Sequence, residues 1–595
     1  MITDKTTKSQ RLDFFKTLYN SAENAHASVL EGFERAMRQY KGDTEIDGSS
    51  EPAITVRNIT YEIVESQISS DIPSPKADAT SYSVRRGRNA TSIERLCRSV
   101  RDKLPFDEMN DIDERYTYIY GGSVWYADWD NESDYMGEVG GVRVQCISPS
   151  DFIPQPGIYT VEDMEYCFLR STATRADLIR RYEISEDDAE LAEFDSEYSA
   201  GIDASDTARV ITCLYRDADG EIGRFIFSGD LVLSDIPKYY MRKRRVCVFC
   251  DNEKNSCRCK QKKFKTVNVT HEKLANDILL SSGVIIPGAS PVVEEGESSN
   301  TLGMKPSEIP YYVPKLFPIV IRKNTSAEKS LFGQSDCDYI RPEQQAINKI
   351  ESRILKKLLR AGITPIVPED ATVALNNSIF GQVIKLKPGE SLAQYGKVDT
   401  TPDISQDVLE AERLYDHAKR IIGISDAFQG IDTGAIAESG YAKQLRINQA
   451  SGRLESKRKM KHSAYAKLDK IIFSLYLAFA DEPRHLSYKD AYGKIRESEF
   501  NRYDFIEYDI LRGEYYYDDA YLFSVDLNSA NEYQRESLWE RNLANLKAGT
   551  LGDPSDPATL LRYWQCQERA HYPHARENVE YFSDLQSKEV AVYYE

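Results

Sequence analysis

The chain has 595 residues, of which 41% are hydrophobic and 29% charged, a balance typical of a soluble, folded protein with room for several domains. Its formal net charge is −19, whereas a protein that binds DNA tightly usually carries an excess of basic residues. If this chain meets DNA, its basic residues are confined to particular helices; otherwise its acidity only aids solubility. No run approaches the roughly 18 apolar residues of a membrane span, and the amino terminus lacks the basic and then apolar pattern of a signal peptide, so we expect a cytoplasmic protein with no membrane partner.

The first half of the chain changes from helical to strand-like patterning. Apolar residues at helical spacing predict a long amphipathic helix over 9–40, and a second helix is predicted at 92–104. The apolar face of the first helix comprises Leu12, Phe15, Tyr19, Val29, Phe33 and Met37. A glycine turn at Gly121-Gly122 feeds an aromatic strand within 116–129. Further predictions are strands at 142–147, 166–169, 210–215, 223–227 and 263–269, a helix at 175–182, an acidic solvated segment at 183–206 and a long connection at 288–314.

Four cysteines lie close together in a chain that is otherwise poor in cysteine: Cys247, Cys250, Cys257 and Cys259. Two close pairs of thiolates can fill a tetrahedral zinc shell, although the second pair has one intervening residue in place of the usual two. The pattern favours one structural zinc ion per chain in a knuckle insert at 242–263, over four unrelated thiols or two disulfides. Basic residues flank the insert, so it either touches nucleic acid or, as we prefer, only staples a loop.

The segment that organises the chain begins near residue 335. Four apolar residues repeat there at spacings of three and four: Ile347, Ile350, Ile354 and Leu358. They predict a helix that has Pro342 in its first turn and ends before Gly362. Four basic residues repeat in the same way: Lys349, Arg353, Lys356 and Arg360. They are expected to form a second face, which either meets DNA phosphates, pairs with acids of a neighbouring subunit or is merely solvated.

A second helix is predicted at 405–422, capped by Ser405 and ended by Gly423. Its apolar residues again repeat at spacings of three and four: Val408, Ala411, Tyr415, Ala418 and Ile422. A small β module between the helices is predicted from strands at 363–367 and 382–386 and a Pro388-Gly389 turn. Both apolar faces are expected to have few partners in their own chain, which favours an oligomer.

A loop rich in glycine, aspartate and alanine follows, and Ser439-Gly440-Tyr441-Ala442 opens a helix predicted over 441–479, with a break near Gly452. Basic residues of this helix are expected to face DNA or acids of a neighbouring subunit: Arg453, Lys457, Arg458, Lys459, Lys461, Lys467 and Lys470. Tyrosine-rich strands are predicted over 487–526, and helices over 529–549 and from Pro557 onward.

Catalytic motifs are scarce in the sequence. No Gly-x-x-x-x-Gly-Lys-Ser/Thr phosphate cradle occurs, although a packaging motor or a helicase needs one. Only seven histidines are present, without the spacing of a metalloprotease helix, and adjacent carboxylates are expected by chance among 95 acidic residues. We therefore predict no catalytic residues and no enzymatic activity.

The order of these features resembles the portal proteins of tailed bacteriophages. The shared signature begins with a Gly-x-Ser-acid turn, here Gly333-Gln334-Ser335-Asp336, before a first stem helix. A clip module and a second stem helix follow, the latter ending in Gly423-Ile424-Ser425. A tunnel loop then closes on Ser439-Gly440-Tyr441-Ala442. The resemblance extends over most of the chain.

The resemblance implies an α+β portal fold. In chain order its parts are an N-terminal helix (1–40), the first part of a wing (41–334), stem helix 1 (335–362), the clip (363–404), stem helix 2 (405–423), the tunnel loop (424–440), the second part of the wing (441–526) and a helical crown (527–595). The residues implied for the tunnel loop are Gly430, Asp432, Gly434, Glu438, Ser439 and Gly440.

The implied function is a ring of twelve copies at one capsid vertex, through which double-stranded DNA is packaged and ejected without sequence specificity. The clip would dock the terminase large subunit and later a head-completion adaptor, with the major capsid and scaffolding proteins as neighbours. Such a protein is assembled in the bacterial cytoplasm and resides in the virion. The alternative is a zinc-containing nucleic-acid-processing enzyme whose metal module positions DNA.

Overall fold

The computed structural model describes residues 7–43, 57–80, 84–135, 138–194, 207–247, 264–274, 307–360, 363–366, 396–399, 403–424, 452–489, 495–526, 532–554 and 556–569, together with a few single positions up to 582. These residues form a mixture of helix and sheet, which agrees with the α+β expectation. The strand pairs within them are antiparallel.

The helices are α1 (Lys8–Lys41), α2 (Ile59–Glu65), α3 (Val84–Lys103), α4 (Phe106–Tyr120), α5 (Arg175–Tyr182), α6 (Glu186–Ala189), α7 (Asp336–Arg360), α8 (Ser405–Ile422), α9 (Gly452–Phe479), α10 (Glu532–Lys547) and α11 (Pro557–Arg569). Short 3-10 turns occupy Pro149–Asp151 and Arg502–Phe505. The predictions for α1 and α5 are confirmed. The second predicted helix is also present, but α3 begins at Val84, eight residues before its predicted start.

The strands are β1 (Ser74–Ala79), β2 (Gly122–Tyr135), β3 (Glu138–Ile147), β4 (Phe152–Pro154), β5 (Tyr166–Thr174), β6 (Thr207–Arg216), β7 (Ile222–Ser228), β8 (Leu231–Ile236), β9 (Arg242–Cys247), β10 (Phe264–Val269), β11 (His271–Leu274), β12 (Ser307–Pro310), β13 (Ile319–Lys323), β14 (Ile363–Ile366), β15 (Gly396–Asp399), β16 (Arg484–Lys489), β17 (Ile495–Phe500), β18 (Ile506–Asp509), β19 (Glu514–Tyr517) and β20 (Tyr521–Asp526). One strand, β12, lies where the sequence predicts only a connection. The acidic segment after α5 contains the short helix α6 and a buried Ala192, so it is not wholly solvated.

The chain divides into two compact units. Unit 1 comprises Met1–Phe33, Ile68–Gln334 and Ser456–Glu595, and unit 2 comprises Glu34–Gln67 and Ser335–Glu455. Unit 2 therefore contains the segments for which the sequence predicts the stem helices, the clip and the tunnel loop.

The amino-terminal part of α1 covers a five-stranded sheet in unit 1, with the order β4-β5-β6-β7-β8. Phe15 stacks on Phe225 with 4.6 Å between ring centroids, and Tyr19 meets the edge of Phe168. Val29, predicted on the same apolar face, is exposed. Burial of these aromatic rings away from water, each contributing roughly 1.5–3 kcal/mol, explains why a helix so far from the sheet in sequence packs against it.

A three-stranded sheet with the order β13-β2-β3 forms another layer of unit 1. Gly121 ends α4 in the left-handed region (φ 85°), which confirms the predicted glycine turn into β2. The aromatic strand begins at Gly122, directly after this turn, as the sequence predicts, and residues 116–120 form the last turn of α4.

Helices α7 and α8 pack antiparallel to each other in unit 2. Ile350 and Ile354 pack with Ala411, while Ile347 packs nearer the other end with Tyr415, as part of a cluster that also contains residues of α2. Both predicted apolar faces are thus largely covered within their own chain. The expectation that they lack partners is wrong, and their burial does not indicate an oligomer.

The ends of these helices differ from the sequence predictions in physically clear ways. Pro342 lies in the second turn of α7, since the helix already begins at Asp336. Ser405 is the first residue of α8 and not its cap; the Asp403 Oδ1 accepts a hydrogen bond from the Ser405 backbone nitrogen at 2.9 Å. Gly423 ends α8 with φ 90°, as predicted.

Strand β14 confirms the first predicted strand of the β module, but its partner is β15. The second predicted strand at 382–386 and the Pro388-Gly389 turn lie outside the described residues.

Candidate functional site

Three residues of the turn from Gly333 to Asp336 each have a structural role at the start of α7. A side chain at Gly333 would meet the Thr325 carbonyl oxygen at 2.5 Å, so only glycine fits. The Ser335 hydroxyl accepts a hydrogen bond from the Cys337 backbone nitrogen at 3.0 Å at the start of α7. The Asp336 carboxylate accepts one from the Gln67 Nε2 at 2.9 Å. The turn therefore fixes where α7 begins.

The predicted basic face of α7 is present for the residues whose side chains are described. Lys349, Arg353 and Lys356 are exposed, whereas Arg360 is the last helical residue and its side chain lies outside the described part. Lys356 makes a further interaction within the chain. The face is therefore real, but at least part of it is engaged by the protein itself.

Asp407 of α8 is the internal partner of this basic face. Its two carboxylate oxygens pair with Arg353 and with Lys357, each at 2.5 Å. The hydrogen bond from Lys357 and the charges of both cations lower the pKa of Asp407 below its ordinary value. Arg353 therefore ties α7 to α8 in the same chain. None of the three predicted roles (DNA contact, an intersubunit pair or a solvated face) includes this contact. Sequence spacing missed Lys357 because it lies one position away from the repeating set.

Helix α2 completes the core of unit 2 and has no obvious signal in the sequence. Gln344 of α7 holds its start, because the Gln344 Oε1 accepts hydrogen bonds from the backbone nitrogen and hydroxyl of Thr60 at 3.0 and 3.1 Å. The Gln344 Nε2 donates to the Asn348 Oδ1 at 2.8 Å. These buried amides fix the register of α2 on α7, since an unmade hydrogen bond there would be costly.

The first cysteine of the predicted zinc knuckle lies at the end of a β-hairpin. Strands β9 and β10 pair antiparallel, and Cys247 stands opposite Phe264 at the last described position of the ladder. The other three predicted ligands, Cys250, Cys257 and Cys259, lie outside the described residues. The hairpin thus brings the two ends of the knuckle segment together, as a small metal loop requires, whichever ligands are used.

The basic residues predicted on α9 do not share one solvent-facing surface. Lys461 is buried, and its ammonium pairs with Glu114 at 3.0 Å and donates to the Asp71 carbonyl oxygen at 2.6 Å. Lys457 is also buried, with its ammonium over the Tyr118 ring. The expectation that these two lysines face DNA or a neighbour is wrong. Lys467 and Lys470 are exposed.

A buried ionic cluster in unit 1 joins α4, β13 and α9. Arg322 pairs with Asp113 at 2.5 Å and with Glu114 at 2.7 Å, and Lys461 pairs with Glu114 from the other side. The Trp125 indole nitrogen donates to Asp113 at 2.8 Å. Two carboxylates and two cations balance in charge, so the cluster is structural in character. The carboxylates and the cations are more than 200 positions apart in sequence, so no spacing rule could have found the cluster.

The residues implied for the tunnel loop, from Gly430 to Gly440, lie outside the described residues, as does the start of the helix predicted after them. In the part of the chain that is described, no helix is long and apolar enough to cross a membrane. Neither the family models nor the curated proteins searched contain a match to this chain.

Proposed function

We propose that this chain is the ring-forming portal subunit of a tailed bacteriophage, which conducts genomic DNA through the axis of the ring. The observation that carries the proposal is the antiparallel α7–α8 pair, with the β14–β15 pair between them in the chain and the Gly333–Asp336 turn at their start. In portal proteins, that order belongs to stem, clip and stem. The absence of a phosphate cradle from the sequence fits a conduit better than a motor.

Exposed apolar side chains on unit 2 support assembly into a ring. Because α7 and α8 run antiparallel, Leu358 near the end of α7 lies near the start of α8, where Val408 and Leu409 are also exposed. Leu409 has 63% of its surface in water. Exposed apolar groups on neighbouring turns mark interaction surfaces more often than isolated ones do. We infer that this end of the helix pair contacts the adjacent copy.

In this function, Lys349 and Lys356 offer weak contacts to DNA phosphates that do not read sequence. The acidic remainder of the surface limits DNA adhesion in the channel. The terminase large subunit and then a head-completion adaptor dock on the clip, and the zinc knuckle staples its loop without catalysing a reaction.

Purified full-length protein is expected to form closed rings with an axial channel in negative-stain electron micrographs, and a matching large mass in light scattering. Leu409→Asp should shift the population to monomers, because a charge placed in a packed interface is costly. The matched control is Gln345→Asp, an acid at an exposed position of α7, which should leave the rings intact. A wild-type monomer at all protein and salt concentrations would contradict the proposal, and DNA hydrolysis by that monomer would favour the zinc-containing enzyme.

Freshly purified protein is expected to contain about one zinc ion per chain, because four thiolates complete one tetrahedral shell. Elemental analysis after dialysis checks the content. The double change Cys250→Ser and Cys257→Ser should release the metal, whereas Cys566→Ser, outside the cluster, should not. Protein without metal and with all four cluster thiols free to titrate would show the zinc prediction to be wrong.

A further inference from the structure

A groove of about 510 Å³ runs between α9 and β20 in unit 1. One wall is the face of α9 from His462 to Lys470, and the other is β20 over residues 521–525. Successive side chains of a strand point to opposite faces, so five consecutive residues can border one groove only along the edge of the strand. The groove therefore follows an edge of β20.

Among the described strands, β20 pairs only with β1. The register places Ala77 opposite Phe523, and the Ala77 backbone nitrogen donates to the Glu94 Oε1 at 3.1 Å instead of to β20. Pro75, opposite Val525, has no N–H group. Both are therefore pairs without ladder hydrogen bonds, and the peptide groups of Phe523 and Val525 point away from β1.

No described residue outside the ladder hydrogen-bonds to the peptide groups of Phe523 or Val525. An edge strand with free N–H and C=O groups is a template for pairing with another extended chain. Phe523 and Val525 are two positions apart, and every second residue of a strand exchanges hydrogen bonds with an antiparallel neighbour.

The helical wall of the groove is positively charged. Lys467 and Lys470 are exposed, and Lys467 pairs with Glu162 at 3.0 Å. Burial and the charge of Lys467 lower the pKa of Lys323, so the ammonium groups of Lys323, Lys467 and Lys470 lie near one another and near the carboxylate of Glu162. A segment with acidic side chains would complement the positive charge of this wall.

His462 adds a polar atom to the same wall of the groove. Its side chain is 7% exposed and lines the groove, and its Nδ1 has no hydrogen-bond partner among the described residues. Burial and the nearby cations lower the pKa of His462 to about 4, so the ring is neutral at physiological pH. The neutral imidazole can therefore hydrogen-bond to a ligand that enters the groove.

We propose that β20 accepts an extended, acidic segment of a partner protein as an added strand. The segment pairs with the peptide groups of Phe523 and Val525, alternates apolar and acidic side chains, and directs its carboxylates to Lys467 and Lys470. Main-chain hydrogen bonds supply the affinity, and the lysines supply the preference for acids. Nucleic acid would use the lysines but not the strand edge.

The probe is a synthetic fluorescent heptapeptide that alternates glutamate and valine, titrated against the full-length protein by fluorescence anisotropy. Changing Lys467 and Lys470 to Gln should weaken binding about tenfold, which corresponds to about 1.4 kcal/mol. Lys8→Gln, at an exposed lysine of unit 1 that does not line the groove, is the matched control and should leave binding unchanged. A peptide that alternates lysine and valine should not bind.

Methylation of alternate peptide nitrogens tests strand addition without altering the protein, and it should abolish binding. Equal binding of the methylated peptide, or binding of a DNA oligonucleotide of the same charge as tightly as the unmodified peptide, would overturn the proposal. Hydrogen exchange shows whether another segment of this chain, or a second copy, already occupies the groove. In the free protein the amides of Phe523 and Val525 should exchange rapidly and become protected by the peptide. Protection without peptide would mean that this chain, or at high concentration a second copy, already fills the groove, and would equally overturn the proposal.

Discussion

Replacing Arg322 with Met is expected to lower the free energy of unfolding of unit 1 by about 3–5 kcal/mol, because it leaves two buried carboxylates with only one cation. Asp113 and Glu114 have essentially no contact with water, so solvent cannot take over the role of the guanidinium. Urea denaturation followed by tryptophan fluorescence measures the effect, since Trp125 donates to Asp113 within the cluster. The matched control is Arg180→Met, because Arg180 is exposed and its partner Asp177 is half exposed, so the loss of this pair should cost less than about 1 kcal/mol.

The pH dependence distinguishes this electrostatic cause from simple loss of packing. Burial alone would raise the pKa of Glu114, but Arg322 and Lys461 hold it below its ordinary value of 4.5. The wild-type carboxylate thus contributes stability above that pH that is lost as the pH falls through its folded-state pKa. Without Arg322, burial raises the folded-state pKa, and protonation then stabilises the variant. The difference in unfolding free energy should therefore shrink between about pH 7 and pH 4; a constant difference would indicate lost packing alone.

Changing Ile347 to Ala should destabilise unit 2 by about 2–5 kcal/mol, because a fully buried side chain between α2, α7 and α8 is lost and a cavity remains. Hydrogen exchange resolved by peptide measures the effect, since it reports each unit by itself. Amides of α2 and α8 should exchange faster, while those of the five-stranded sheet stay unchanged.

Gln345→Ala on the same helix is the matched control for this prediction, because Gln345 is exposed and its truncation should cost less than about 1 kcal/mol. Should both variants have equally small effects, the packing of α7 on α8 and α2 would not be what holds unit 2 together.

Periodicity predicts which residues share a face, but not what that face meets. The interval of α5 and the glycine ends of α4 and α8 follow from local rules, and the structure has them where the sequence places them. The sequence predicts that the apolar face of α7 meets another copy, because periodicity does not show that α8 packs on Ile350 and Ile354, and because α2, with seven residues, is too short for a periodic signal.

The basic residues of α9 also show that spacing does not predict which residues a side chain contacts. Lys461 belongs to a helical set of cations by spacing, yet it is buried because Glu114, almost 350 positions earlier in the chain, lies beside it. Charge patterning assumes that charges stay in water unless something pairs with them, and the pairing residue here is supplied by the tertiary fold. The zinc and tunnel-loop predictions stay predictions.

The division into two units means that the chain passes between them after residues 33, 67, 334 and 455. During synthesis, α2 leaves the ribosome long before α7 and α8, which cover it. At roughly 5–20 residues per second, the intervening 270 or so residues take about 13 to 54 s. For that time Ile59 and Ile63 lack the side chains that bury them. Unit 1 is completed last, because its third segment follows all of unit 2 in the chain. Nascent chains of this protein are therefore expected to depend on holding chaperones, and no single cut in the finished chain can release either unit intact.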